Sequence, residues 1–144
     1  YLEQILMEQA LTMSQKFIFI LGKTKSKQHH YVAENVEVVS YLTSRELNTV
    51  LAASATVICR SGYSSLMDLA ALGKQAILIP TPGQTEQEYL ANNLSAQNSF
   101  VVQHQDKIDL KSALKQVPQT KGLSSLNFQI NQFETTLKNW VECL

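Results

Sequence analysis

The stretch Cys59-Arg60-Ser61-Gly62-Tyr63-Ser64-Ser65-Leu66-Met67-Asp68 has the residue types and spacing of an anion site. A β-branched run, Thr56-Val57-Ile58, passes through a small-residue turn directly into a helical pattern. Backbone N–H groups in the first turn of a helix have no intrahelical acceptor, and the helix dipole places partial positive charge there, so a phosphate can bind without a dedicated cation. Gly62 lets the backbone come close, and Ser64 and Ser65 add hydroxyl donors. Asp68 follows Ser65 by three residues, which puts the two on one helix face about 5 Å apart along the axis. That is roughly the reach from a phosphate to its ribose. The same spacing also suits a purely structural capping box between Ser65 and Asp68.

A second strand–turn–helix pattern follows. The apolar run Ala76-Ile77-Leu78-Ile79 leads into Pro80-Thr81-Pro82-Gly83-Gln84-Thr85-Glu86-Gln87-Glu88-Tyr89, with Thr85 and Glu88 spaced as a capping box. In a parallel sheet such loops leave at the same carboxyl edge, where ligands of open α/β folds bind.

Cys59-Arg60-Ser61-Gly62, the acidic Asp68, Gly73-Lys74, Ile77-Leu78-Ile79-Pro80 and Glu86-Gln87 together resemble the carboxyl-terminal donor domain of family 28 glycosyltransferases. A bacterial member of that family adds N-acetylglucosamine to a lipid-linked peptidoglycan precursor. The resemblance is good from Val36 to Ala91 and thin elsewhere. It implies the Rossmann-like carboxyl-terminal half of a two-domain GT-B enzyme, inverting and metal-independent, that holds a nucleotide-sugar, usually a UDP-sugar, with no cofactor. Main-chain groups around Ser61, Gly62, Tyr63, Ser64 and Ser65 would meet the diphosphate. Asp68 would bind the ribose hydroxyls, and the turn at Tyr41-Leu42 would read the base. Gln87 would face the sugar, with Gln84 and Glu86 beside it. Arg60 would either reinforce the charge on the diphosphate or hydrogen-bond the loop in place. The loop Pro82-Gly83-Gln84-Thr85-Glu86 departs from the charged loop of the peptidoglycan enzyme, which leaves the transferred sugar open. The same layout fits a nucleotide-sugar 2-epimerase, or a non-catalytic subunit that pairs with a separate acceptor-binding chain.

The elements that must hold these residues alternate in type. The patterns predict a helix over 2–13, a buried strand over 17–21, a polar loop over 22–31 and a strand over 36–41. A helix then opens at Thr43, with Glu46 three residues on as a capping box and an apolar face of Leu47, Val50 and Leu51. The Thr56 strand, the Ser65 helix ending at Gly73, the Ile77 strand, the Thr85 helix, the Phe100 strand and a helix over 109–116 complete the order. Strands alternating with helices argue for an α/β fold with a parallel sheet covered on both faces. Because doubly wound domains normally open with a strand, a preceding strand and Gly-rich loop are expected ahead of Leu2, in a longer polypeptide.

After Pro118 and Gly122 an apolar stripe runs through Leu123, Leu126, Ile130, Phe133, Leu137, Trp140 and Leu144 at steps of three and four. Two units are therefore expected: a donor-binding domain over 1–122 and a helix over 123–144. That helix packs either on its own domain or on the amino-terminal acceptor half, as the last helix of GT-B enzymes does.

Composition narrows the partners. The 144 residues are 44% hydrophobic, enough for one core, and 12 Lys and Arg balance 12 Asp and Glu. The one basic run, Lys23-Thr24-Lys25-Ser26-Lys27, lacks interleaved aromatics, so nucleic acid is not an expected partner. No stretch is apolar enough to span a membrane. Any membrane contact, at the inner face of a cytoplasmic protein, is expected through the amino-terminal half. Cys59 and Cys143 do not form a secreted disulfide framework and read as reduced cytosolic thiols. His29 and His30 are adjacent and lack metal-ligand spacing, and His104 has no nucleophile partner recognisable in the sequence. The general base is therefore expected in the acceptor half, and this chain alone is expected to be inactive.

Overall fold

The structure is a computed structural model and describes residues 1–123. The stripe from Leu126 to Leu144, and Cys143 with it, lies outside the described residues. In chain order the elements are α1 (Leu2–Ala10), β1 (Phe17–Ile20), β2 (His29–Ala33), β3 (Val36–Val39), α2 (Ser44–Ala53), β4 (Val57–Cys59), α3 (Tyr63–Ala71), β5 (Ala76–Leu78), α4 (Thr85–Ala96), β6 (Val101–Val102) and α5 (Leu110–Gln116). A short 3-10 turn, Val117–Gln119, follows α5.

The strands form two three-stranded sheets, ordered β1-β3-β2 and β4-β5-β6. The second is wholly parallel. Its strand residues alternate between two helical layers, as a sheet buried on both faces requires. Ile77 and Ile79 join Leu6 of α1 and Leu110, Ala113 and Val117 of α5. Ala76 and Leu78 face the other way, onto Leu66 and Leu69 of α3, Phe100 and Leu123.

In the first sheet β1 and β3 are parallel, but β2 runs antiparallel to β3. Part of the expected 22–31 loop is therefore a strand. Its residues, His-His-Tyr-Val-Ala, are nearly all exposed, so no apolar alternation marks them. Pairing comes from the tight return through Glu34-Asn35 and from a cross-strand contact of His29 Nε2 with Glu37 Oε1 at 2.8 Å. β1 is also not fully buried: Phe17 and Phe19 pack inward, whereas Ile18 and Ile20 remain 45% and 37% exposed.

Helix ends refine the boundaries. Leu11, Thr12 and Met13 continue α1 only as a turn, and Asn35 Nδ2 donates to the carbonyls of Ala10, Met13 and Gln15, tying that turn to the start of β3. Gln9 clamps α1 to α5: its Nε2 donates to Ile108 O at 2.9 Å, and its Oε1 accepts the Leu110 N–H at 2.7 Å. The Thr43–Glu46 capping box forms as expected. The Thr85–Glu88 box does not, because Gln84 is the N-cap and Thr85 the first helical residue, one position too late for a box. Glu88 instead accepts the N–H of Gly83, whose φ of +80° makes the turn.

Glu46 carries a testable titration. Its carboxylate takes Lys27 Nζ at 2.7 Å and the Thr43 N–H and hydroxyl at 2.8 Å each, and these partners, Lys27 first, lower its pKa to about 2. A carboxyl depressed in the fold contributes stability above its unfolded value, and that contribution is lost as pH falls from about 4.5 through about 2. Carbon-detected titration should place Glu46 well below the other glutamates, and Lys27→Ala should return it toward them.

Candidate functional site

The turn after β4 starts from a strand whose alternate residues bond to β5, with Val57 N–H donating to Gln75 O and Cys59 O accepting from Ile79 N–H. That pairing delivers Arg60 to the carboxyl edge of the parallel sheet. The guanidinium bridges the three loops that leave this edge. Nη1 donates to Ile79 O at 3.1 Å and to Pro80 O at 3.0 Å, after β5, and Nη2 donates to Gln105 Oε1 at 2.5 Å, after β6. Burial lowers the Arg60 pKa, but hydrogen bonds to neutral acceptors keep the cation satisfied. Of the two roles open to Arg60 in the sequence, loop positioning is the one its contacts fill. Three of its five N–H donors are engaged, leaving two.

Ser61 is fully buried, and its hydroxyl donates to Gln87 O at 2.8 Å, fastening the turn to α4. Gln87 is held in turn, its Oε1 accepting the Thr81 N–H at 2.9 Å and its Nε2 donating to Gln84 Oε1. Gly62 is the N-cap of α3, extended at φ −79° and ψ 151°, with no side-chain cap. The helix thus opens two residues before Ser65, and Ser65 and Asp68 lie inside it rather than forming a capping box. The first intrahelical bond runs from Leu66 N–H to Gly62 O, so the N–H groups of Tyr63, Ser64 and Ser65 precede the ladder. A β-carbon at Gly62 would meet no atom within 4 Å. Neither backbone strain nor crowding within the chain requires glycine there, and the space before the helix is open.

Tyr63, Ser64 and Asp68 are exposed and Ser65 is half-buried, so one side of the α3 opening is available to a ligand. Glu86 and Gln84 are exposed at the start of α4. Leu42 sits half-buried between β3 and α2, on the other sheet, and no hydrogen bond among the described residues ties it to the Arg60 network. Arg60, Ser61, Gln84 and Gln87 are thus brought into one network, whereas Leu42, Asp68 and Glu86 stand outside it. Gln105 and Thr81 are the members that sequence patterns missed. Their only local signal is a polar residue just past a strand end.

A cavity of about 580 Å³ lies under the lysine loop, lined by Leu21, Lys23, Lys25, Gln28, His30 and Ser40 among others, and shares no residue with the α3 turn. Among the described residues no group of three His, Cys, Asp or Glu could hold a metal ion, and no helix is long and apolar enough to cross a membrane.

Cys59 directly precedes the site, and burial pushes its thiol up to about 12. At pH 8 about one molecule in 10,000 carries the thiolate, the reactive form. Iodoacetamide should therefore leave native Cys59 unmodified over times that alkylate it fully in guanidinium, as peptide mass spectrometry would show.

The profile of the glycosyltransferase family 28 C-terminal domain matches residues 2–136. The chain belongs to this family. Over 109 residues the family 28 domain is 33% identical to the UDP-N-acetylglucosamine--N-acetylmuramyl-(pentapeptide) pyrophosphoryl-undecaprenol N-acetylglucosamine transferase of Caldanaerobacter subterraneus subsp. tengcongensis, covering 74% of this chain and 29% of that protein. The transferase of the same name from Methylobacterium radiotolerans is 46% identical over 48 residues, 33% of this chain and 13% of that protein. The chain thus spans less than a third of these relatives.

Solved structures extend the likeness in fold. Spinosyn forosaminyltransferase SpnP superposes with a TM-score of 0.62 at 17% identity, over 85% of this chain and 29% of that one. The glycosyltransferase SnogD from Streptomyces nogalater gives 0.59 at 16% identity, over 81% and 29%. The family 28 domain therefore has the α/β fold of part of a GT-B glycosyltransferase, with the antiparallel β2 as its local addition.

Proposed function

We propose that this domain holds the nucleotide-sugar donor, a UDP-sugar, for a glycosyltransferase of bacterial cell-envelope polysaccharide synthesis whose acceptor site lies in a separate amino-terminal half. The observation that carries the proposal is the opening of α3: three N–H groups before the ladder, a glycine with open space in front of it, and a turn fixed from three sides by Arg60 and Ser61. The diphosphate sits at that opening, where main-chain donors and the helix dipole favour negative charge. Asp68, one turn along, accepts from the ribose hydroxyls, and Leu42 offers main-chain groups to the base. Glu86, Gln84 and the free donor of Gln87 line the sugar side.

Such an arrangement acts by electrostatic preorganisation. As the glycosyl bond breaks, charge accumulates on the leaving diphosphate, and donors already aimed there stabilise it without reorganising. The base that takes the acceptor's proton belongs to the other half. The similarity to transferases named for UDP-N-acetylglucosamine supports a uridine donor. Titration calorimetry with UDP, GDP and ATP tests the assignment: UDP should bind at least about ten-fold more tightly, a difference of about 1.4 kcal/mol. Equal binding of all three, or binding of none, would overturn it.

A further inference from the structure

We infer that one further strand, contributed by the polypeptide ahead of α1, inserts between β1 and β4 and joins the two sheets into one. Hydrogen-bond bookkeeping locates the slot. Phe17 and Leu21 donate their N–H groups to Asn35 and Val39 of the β3 segment. In a parallel ladder alternate residues turn N–H and C=O to opposite sides, so those of Ile18 and Ile20 point away from β3. On β4, Val57 and Cys59 bond the β5 segment, so the main-chain groups of Ile58 point away from it. These two edges are unpaired among the described strands. Both lie under the same helical layer: Phe17 and Phe19 of β1 and Ile58 of β4 pack against the cluster built around Leu6 of α1.

The surrounding side chains point to the same gap. Ile18 and Ile20 are exposed, all three residues of β4 are only half-buried although β5 beside it is fully buried, and α2 buries none of its apolar face. Apolar groups on two strands and a helix are thus left short of cover around one slot. An inserted strand would be apolar on both faces. It would run parallel to β1, because a strand entering α1 and returning as β1 makes the right-handed crossover that parallel sheets use. The demand is set by the unpaired edges and would stand wherever the polypeptide begins.

Amide hydrogen exchange of the labelled chain reads the slot directly. Extending the chain ahead of Tyr1 with a strand of about six alternating Val and Ile residues and a short Gly-Asn turn should slow exchange at Ile18, Ile20 and Ile58 by about 100-fold or more. Phe19 and Cys59, already paired, should change far less, and a Gly-Ser extension of equal length should protect none. Supplying the Val-Ile segment as a free peptide to the unextended chain should protect the same three amides, which keeps the test independent of how the extended chain folds. Protection at Ile18 and Ile20 without Ile58, or none in either format, overturns the proposal. So does concentration-dependent protection of all three in the unextended chain, which would make a second copy the occupant.

Discussion

Asp68→Asn should weaken UDP binding about ten-fold or more while leaving the melting temperature unchanged. The carboxylate projects from the exposed face of α3, and no hydrogen bond among the described residues uses it. Removing its charge therefore breaks nothing in the free domain. In the complex it accepts from ribose hydroxyls, and a charge-assisted hydrogen bond contributes about 1.5–3 kcal/mol. Asparagine keeps the shape and one acceptor but adds a donor where a second acceptor is needed. Calorimetry and thermal melts on the same preparation separate the outcomes: unchanged affinity with a lowered melting temperature would make Asp68 a structural residue and remove the ribose contact from the proposed site.

Arg60→Met should act on both quantities. Methionine retains much of the apolar stem and loses the three hydrogen bonds to Ile79 O, Pro80 O and Gln105. Because the side chain is partly solvated, water replaces some of these bonds, and the expected stability loss is about 1–2 kcal/mol. For a chain of this size that lowers the melting temperature by about 2–8 °C. Affinity for UDP should fall as well, by about ten-fold, since the loops after β4, β5 and β6 lose their common anchor. Gln105→Ala should give a smaller change of the same kind. A melting temperature unchanged in Arg60→Met would mean that the bridge contributes nothing to the edge.

The contrast between these residues shows where sequence patterns carry information about this protein. Asp68 was legible because its relation to Ser65 is local, three residues on one helix face. The Thr43–Glu46 box was legible for the same reason, and the strand–helix alternation followed from apolar runs and turn residues. Arg60's partners were not legible: its bonds reach carbonyls 19 and 20 residues away and a glutamine 45 residues away, and no spacing rule predicts them. β2 was missed because an exposed edge strand of His and Tyr lacks the alternation by which buried strands are read. The Thr85–Glu88 box failed by a single residue, within the usual uncertainty of helix ends. The stripe from Leu126 onward, expected to pack on its own domain or the other half, lies outside the described residues.

The clamp made by Gln9 sets an order on events during synthesis. Its two hydrogen bonds join positions 99 and 101 residues apart, and α1 buries Leu6 against β5 and α5, all made much later. The first helix to leave the ribosome therefore has no seat until nearly the whole domain has followed it. Contacts of such separation must recover the entropy of closing the loop before they stabilise anything. Until then the apolar side of α1 stays open to other chains. A nascent chain halted before Leu110 should leave α1 as accessible to protease as an unfolded segment, and one released beyond Val117 should protect it in a single step.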